Sequence, residues 1–318
     1  MGSGRPPRGP ISQQRGARLV RTTVVAVVLI AGATALARPG SHSASALRPH
    51  PATTAVVPST EPPSDPRHAV ARPNLFAQPP IAQYLASRPD GVSAAVVDVR
   101  TGRAFVYHPR TRAITASIMK VDILETLLSR AQAEGETLTE EELELSRQMI
   151  EDSDNDAAQD LWDLIGGAPA VAAYNARVGL KNTVPNEAGY WGLSTTSALD
   201  QVRLVEQICQ SSALLTRTSR DYALDLMTHV DPAQAWGVSA GVTPNAMVAL
   251  KNGWLPFDDA WHVNSIGCVR GSGRDYVIAV LVGGAATEAD GIRTIDGLSS
   301  LVWTQLAPST GGRPGGRL

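Results

Sequence analysis

The pattern of apolar and polar positions predicts strands at both ends of the folded region and helices between them. Residues 91–99 and 104–107 are rich in valine and other strand-forming residues and flank the turn sequence RTGR, which predicts a β-hairpin. Residues 117–129 (SIMKVDILETLLS) are apolar on most sides, and a helix of that kind is buried. A capping-box pair, Thr139 and Glu142, predicts a second helix towards Ile150. The remaining patterns predict helices at 156–164, 168–178, 197–209, 219–229 and 288–306, and strands at 247–251, 261–269 and 276–282.

The order of these elements predicts an α+β fold. Strands that follow one another closely in sequence favour an antiparallel sheet, and the long helical stretch between the two groups of strands favours an all-helical lobe. A chain of 318 residues is long enough to bury one sizeable core, so we expect a single folded domain over residues 75–308. We find no internal repeat.

The chain before this domain has the composition of an export segment followed by a spacer. Five arginines and no acidic residue precede residue 22, and residues 22–37 are uncharged and mostly apolar. This predicts a signal peptide or a membrane anchor over 1–37, with cleavage after residue 37 or 46. Residues 38–74 are rich in Pro, Ala and Ser and predict a linker, and 309–318 predict a disordered tail. We therefore expect an extracellular or cell-envelope protein that meets the membrane only through its N-terminal segment, and not a lipoprotein, because no cysteine lies near the junction.

Composition narrows the partners further. The net charge of -2 offers no basic stripe for nucleic acid. The few histidines are scattered, so we expect no metal and no organic cofactor. The two cysteines, Cys209 and Cys268, could pair in an exported protein or remain as two buried thiols, and the sequence leaves both alternatives open. We expect a monomer.

Lysine usage draws attention to one helix. Lys and Arg together number 28, but only Lys120, Lys181 and Lys251 are lysines. Lysine can lose its proton when it is buried, whereas arginine cannot. Lys120 follows Ser117 by three residues on the predicted buried helix, which puts the amine and the hydroxyl on one face. A serine hydroxyl needs an adjacent base to act as a nucleophile, and a desolvated lysine can be that base.

Two further motifs follow in order. Ser153-Asp154-Asn155 ends a predicted helix, and Lys251-Asn252-Gly253 ends a predicted strand. With the S-x-x-K of Ser117 and Lys120, the chain resembles the superfamily of class A β-lactamases and penicillin-binding proteins. The resemblance covers about residues 75–308 and implies a β-lactamase-like fold.

The resemblance also implies roles for these residues. Ser117 attacks a lactam or peptide carbonyl, Lys120 helps to remove its proton, and Ser153 relays a proton to the leaving nitrogen with the help of Lys251. The backbone N–H groups of Ser117 and Trp254 form the oxyanion hole. The substrate-binding residues that it implies are Asn155, Asn252, Gly253, Trp254 and, from the next strand, His262 and Asn264.

The chain departs from the family in three places. Asn252 stands where the third motif usually has Thr or Ser, and the bulky Trp254 follows it. The interval from Ser117 to Ser153 is shorter than in class A enzymes, which predicts a more open cleft. The loop 180–195 is short and has Glu187 as its only acid, so Glu187 is the candidate for the base that activates the deacylating water, with an exposed loop glutamate as the alternative.

These observations support a leading hypothesis and two alternatives. The leading one is an exported class A β-lactamase-like serine hydrolase that forms an acyl-enzyme at Ser117. The first alternative is a D-alanyl-D-alanine peptidase acting on cell-wall peptides. The second is a non-catalytic wall-binding protein with the same fold. The expected partner is a small β-lactam or D-alanyl peptide substrate.

Overall fold

The computed structural model describes residues 74–88 and 91–306. Apart from Asn74, the predicted signal or anchor segment (1–37), linker (38–74) and tail (309–318) lie outside the described residues. The helices are α1 Pro79–Ala86, α2 Met119–Glu134, α3 Glu140–Glu151, α4 Asn155–Ile165, α5 Gly167–Val178, α6 Ala198–Cys209, α7 Arg217–Thr228 and α8 Glu288–Gln305. The strands are β1 Val92–Asp98, β2 Arg103–Tyr107, β3 Ala113–Ile114, β4 Thr195–Thr196, β5 Met247–Phe257, β6 Ala260–Gly271 and β7 Arg274–Ala285.

Five strands form one antiparallel sheet in the order β2-β1-β7-β6-β5. Helices α1 and α8 cover one face of this sheet, and α6 covers the other. Helix α2 packs against α3, α4 and α5 in the helical lobe. The predicted α+β class is therefore confirmed. The short strands β3 and β4 pair separately and join the chain before Ser117 to the end of the loop 180–195.

The core has two parts because the central strands are covered on both faces. In β7, Val277, Ala279 and Leu281 face the helical lobe, whereas Ile278 and Val280 face the α1/α8 layer. Side chains of a strand alternate between the two faces of its sheet, so a strand covered on both faces reads as a continuous apolar run. The helix α2 contributes the largest run of fully buried residues in the lobe.

Strand β5 is longer than predicted. The sequence pattern ended this strand at Lys251, but the structure continues it to Phe257 and turns at Asp258 and Asp259. Gly253 and Pro256 obscured the pattern, since both are unusual inside strands. At the edge of a sheet, however, a strand tolerates proline because one side of its backbone is unpaired. The predicted Lys251-Asn252-Gly253 motif therefore lies within an edge strand and not at its end.

The two cysteines pair. Cys209 at the end of α6 and Cys268 in β6 form a disulfide bond. This bond joins the helical lobe to the sheet. None of the described helices is both long and apolar enough to cross a membrane.

Candidate active site

Ser117 lies in a tight turn that precedes α2. The turn is a single 3-10 turn, Ala116–Ile118, and the regular helix begins at Met119 and not at Ser117 as predicted. Ala116 has a φ of 47°, in the left-handed region that non-glycine residues rarely adopt. Backbone strain of this kind is concentrated at functional sites. The Ser117 side chain is half-buried, and its hydroxyl makes no hydrogen bond to the rest of the described chain.

Hydrogen bonds from two parts of the molecule hold the turn that carries Ser117. The Thr115 N–H donates to the Ser194 carbonyl at 2.8 Å. The Asn264 amide nitrogen donates to the carbonyls of Ile114 at 2.8 Å and Thr115 at 3.0 Å. The strained backbone before Ser117 is therefore tied both to the loop 180–195 and to strand β6.

Lys120 reaches from α2 to the second motif. Its Nζ donates to the Ser153 carbonyl at 2.6 Å, to Ser153 Oγ at 3.1 Å and to Asn155 Oδ1 at 2.8 Å. Burial lowers the pKa of Lys120 to about 7, although the nearby Asp154 carboxylate partly opposes the shift. An amine with that pKa is present in its neutral form near physiological pH, as a general base must be.

Ser153 stands between the two lysines. Lys251 Nζ donates to Ser153 Oγ at 2.9 Å, on the same oxygen that Lys120 contacts. Burial lowers the pKa of Lys251 well below its ordinary value, and the charge of Lys120 lowers it further. Ser153 has a φ of 56°, and Asp154 caps α4 by accepting from the Ala157 N–H. The sharp turn at Ser153 thus points its hydroxyl at both amines.

Gly253 lets strand β5 approach the Ser117 turn. A Cβ at Gly253 would lie 2.6 Å from the Ser117 nitrogen and 2.7 Å from the Ile118 nitrogen, closer than real Cβ contacts. Any side chain here would push the strand away from the turn. Edge strands carry unpaired backbone N–H groups, so this approach fits the oxyanion hole predicted from Ser117 and Trp254, which stays a prediction.

The amide nitrogen of Asn252 is already occupied, whereas its oxygen has no hydrogen-bond partner among the described residues. Its nitrogen donates to the carbonyls of Gln234 at 2.7 Å and Trp236 at 3.0 Å, and the side chain is buried. Asn264 is likewise buried, and its nitrogen holds the Ser117 turn. These contacts favour structural roles over the substrate-binding roles predicted for both residues.

His262 is set apart from this cluster. Its ring contacts Phe257 edge-on, with centroids 6.3 Å apart, and its side chain makes no hydrogen bond to the described residues. Burial lowers the pKa of His262, so the ring is neutral near pH 7. The proposed contact between His262 and a substrate carboxylate stays a prediction.

The role of Glu187 as the deacylating base stays a prediction, since this residue forms no hydrogen bond or ion pair with Lys120. Glu187 is exposed and makes no hydrogen bond to the described chain. The residue of this loop that contacts Lys120 is Trp191, whose ring centroid lies 5.1 Å from Nζ. The sequence analysis missed Trp191, although a tryptophan in a short polar loop beside a candidate catalytic lysine is a detectable signal.

Two buried carboxyl groups of α2 itself were also missed. Asp122 and Glu125 are fully buried, and burial raises the pKa of Asp122 to about 7 and that of Glu125 well above its ordinary value. Tyr174 donates to Glu125 at 2.7 Å. Among the described residues, no group of three or more His, Cys, Asp or Glu side chains is arranged to hold a metal ion.

Comparison with known proteins identifies the family. The model of the β-lactamase enzyme family (Beta-lactamase2) matches residues 142–306, more than half of the chain. The chain belongs to this family. The matched region contains Ser153 and Lys251 and begins after Ser117 and Lys120. The predicted superfamily is confirmed, and with it a β-lactamase-like serine hydrolase family.

This member of the β-lactamase family is similar in sequence to mycobacterial proteins and similar in structure to several solved proteins. The "Putative lipoprotein LppW" of Mycobacterium bovis and of Mycobacterium tuberculosis is 32% identical over 198 residues, which cover 59% of this chain and 62% of the relative. The solved structure of PBP-A is 25% identical, covers 70% of this chain and 93% of its own, and has a TM-score of 0.63. A mutant of PBP-A has been solved as an acyl-enzyme complex with penicillin G. A class A β-lactamase of Bacteroides cellulosilyticus is 19% identical, covers 74% and 99%, and has a TM-score of 0.64, which shows the shared fold.

Proposed function

We propose that this protein is an acyl-enzyme-forming serine hydrolase that acts on amide carbonyls of D-alanyl peptides and reacts with penicillins. The observation that carries the proposal is the hydrogen-bonded chain Lys120–Ser153–Lys251 beside the half-buried Ser117. Two buried amines that share one hydroxyl are an arrangement for moving a proton, since burial lowers the pKa of each amine.

The chemistry follows from these contacts. Neutral Lys120 accepts the proton of Ser117 as the serine oxygen bonds to the carbonyl carbon, and backbone N–H groups stabilise the resulting oxyanion. The C–N bond then breaks, and Ser153 gives its proton to the leaving nitrogen. Lys120, which contacts Ser153 Oγ, replaces that proton. The result is an ester on Ser117 and a neutral Lys120.

The second half of the reaction distinguishes a peptidase from a lactamase. A class A lactamase uses a glutamate of the corresponding loop to activate water, whereas in this chain Glu187 is exposed and Trp191 contacts Lys120. Loss of a general base costs about 10² to 10⁴ in rate. We therefore favour a penicillin-binding peptidase with a long-lived acyl-enzyme over the rapid lactam hydrolysis that the sequence favoured.

A non-catalytic binding protein is a second candidate, and Asn252 is the observation that favours it. Both N–H groups of this amide serve the carbonyls of Gln234 and Trp236, so neither can bind the carboxylate of a D-alanyl or penicillin substrate. We expect Asn252→Thr to speed acylation by penicillin G by roughly 10- to 150-fold, since a hydrogen bond to a charged group contributes about 1.5 to 3 kcal/mol. A binding protein without turnover chemistry would remain unacylated in both forms.

We propose a cell-envelope location. The mycobacterial relatives are named as lipoproteins. The two cysteines of this sequence pair with each other, so neither is free to carry a lipid. The uncharged segment 22–37 is the feature of this chain that fits export or anchoring.

Intact-mass spectrometry of the purified protein with penicillin G tests the activity. A persistent adduct that Ser117→Ala abolishes is the expected result. A transient adduct with rapid penicillin consumption would instead indicate a β-lactamase. The absence of any adduct, together with no cleavage of D-alanyl-D-alanine peptides, would leave the binding protein.

A further inference from the structure

The loop 180–195 packs directly on the turn that carries Ser117. The Thr115 hydroxyl donates to the carbonyls of Trp191 and Gly192 at 3.5 Å each, and the Thr115 N–H donates to Ser194 at 2.8 Å. The turn Trp191–Leu193 therefore lies against the turn Ala116–Ile118. A side chain of this loop is placed to affect the chemistry at Ser117.

The ring of Trp191 packs against the amine of Lys120. Lys120 Nζ makes three polar contacts outside its own helix, two to Ser153 and one to Asn155. When Lys120 is protonated, these contacts use all three of its N–H donors. The Trp191 ring lies 5.1 Å from the same Nζ. Lys120 is fully buried, and the Trp191 ring is the group that covers it on the loop side.

The loop that carries Trp191 is fixed at its base. Thr183 at its start and Thr196 at its end share a hydrogen bond of 2.8 Å. Gln201 on α6 donates to Thr196 at 3.0 Å, and Asp200 accepts from the Asn182 N–H at 2.5 Å. These contacts hold the two ends of the loop together, so the fold fixes the path of the loop that carries Trp191.

We propose that Trp191 is a positioning residue that shields Lys120 and an acyl group on Ser117 from water, and thereby prolongs the acyl-enzyme. This inference rests on the proposed function. An acyl-enzyme is an ester, and its hydrolysis requires a water molecule that a base can deprotonate next to the carbonyl carbon. The loop 180–195 places an aromatic ring against Lys120. In a class A enzyme the corresponding loop carries the glutamate that activates water, so in this chain the loop would exclude water instead of activating it.

The first test measures the lifetime of the penicillin G adduct of the full chain. We expect Trp191→Phe, which keeps an aromatic ring, to retain the wild-type lifetime, and Trp191→Ala to shorten it at least tenfold. Tyr190→Ala is the matched control, because Tyr190 is the adjacent residue and is 66% exposed. A Trp191→Ala adduct that lasts as long as those of the wild type and of Tyr190→Ala would overturn the inference and leave the proposed function intact.

The second test does not depend on acylation. The fluorescence difference between the wild type and Trp191→Phe isolates the Trp191 signal. The pKa of Lys120 is about 7, and its titratable neighbours are Asp154 and Lys251. We therefore expect the Trp191 signal to change with pH near 7 in the wild type and to stay constant with pH in Lys120→Met. A pH-independent signal, or one that persists in Lys120→Met, would show that Trp191 does not lie against Lys120. The titration therefore tests the contact even if penicillin forms no adduct.

Discussion

At the scale of single residues, the choice between lysine and arginine is the most informative feature. Lys120 and Lys251 are both buried, at 0% and 1% exposure, whereas Lys181 is exposed. Arginine stays charged in proteins, so it can neither accept the Ser117 proton nor tolerate such burial without a carboxylate partner. The two lysines that the motifs singled out are therefore the two whose surroundings require a removable proton.

We predict that Lys120→Arg slows acylation by about 10² to 10⁴, because arginine cannot act as a base. In the wild type the acylation rate should rise with pH and level off above a midpoint near 7, since only the neutral amine accepts a proton and burial lowers the pKa of Lys120 to about 7. Intact-mass spectrometry of samples quenched at successive times, from pH 5 to 9, measures both effects.

Lys181→Arg is the matched control for this prediction. It exchanges the same residue types at an exposed position and should leave the rate and its pH profile unchanged. Equal acylation by Lys120→Arg and Lys181→Arg would exclude Lys120 as the base.

At the scale of elements, the site depends on how closely strand β5 meets the turn before α2. The contact is made by backbone at Gly253 and not by a side chain. An edge strand provides this geometry, since its outer side is free of a neighbouring strand.

We predict that Gly253→Ala lowers acylation at least a hundredfold and lowers stability by about 1 to 3 kcal/mol, as overpacking does. The added Cβ would lie 2.6 Å from the Ser117 nitrogen, so the strand and the turn must separate. Gly102→Ala serves as the control: Gly102 has a φ of +67° with open space around it, so the substitution strains the backbone far from the site. Urea unfolding measures stability and mass spectrometry measures adduct formation. We expect only Gly253→Ala to lose acylation, and unchanged acylation in this variant would contradict the role assigned to strand β5.

The buried Asp122 of α2 predicts an unusual dependence of folding stability on pH. Asp122 is fully buried among Asn175, Gln201, Asp200 and Glu125, and its two carboxyl oxygens make no well-formed hydrogen bond among the described residues. Burial raises the pKa of Asp122 to about 7, from an ordinary value of about 3.9. The folded state keeps this proton between pH 4 and 7 while the unfolded chain loses it. The stability that Asp122 contributes is therefore complete below about pH 4 and lost as the pH rises through 7.

We predict that Asp122→Asn is more stable than the wild type at pH 8, by about 2 to 4 kcal/mol, and that the advantage shrinks towards pH 4. Urea unfolding at pH 4, 6 and 8 measures this difference. Glu125→Gln provides a comparison, because Glu125 retains a hydrogen bond from Tyr174. An Asp122→Asn advantage that is the same at all three pH values would show that Asp122 does not titrate in this range.

At the scale of the whole molecule, the disulfide joins the two structural layers. Cys209 ends the helix that packs on the sheet, and Cys268 lies in the strand beside β5. The bond closes a segment with a sequence separation of 59 residues that includes α7 and β5.

We predict that the double variant Cys209→Ser/Cys268→Ser loses about 2 to 4 kcal/mol of stability, because the cross-link restricts the unfolded chain. Thermal unfolding of the variant and of the reduced and oxidised wild type measures the loss. Equal melting temperatures of the oxidised and reduced protein would contradict this prediction.

The sequence alone determined the fold class, most element positions and the order of the three motifs. It could do so because apolar periodicity, capping residues and the Ser-x-x-Lys spacing are local properties of the chain. Helix α3 shows this most clearly, since its predicted capping box is present in the structure. Strand β5 was cut short because its proline and glycine are tolerated only at an edge, and edge position depends on the whole sheet.

Only the tertiary structure decided what surrounds the predicted residues. It paired Cys209 with Cys268, used the Asn252 amide to hold a neighbouring loop, and placed Trp191 instead of Glu187 against Lys120. Each of these contacts joins residues far apart in sequence or depends on the path of a loop. Periodicity and spacing describe which face of an element a residue occupies, and they hold no information on which distant group meets that face.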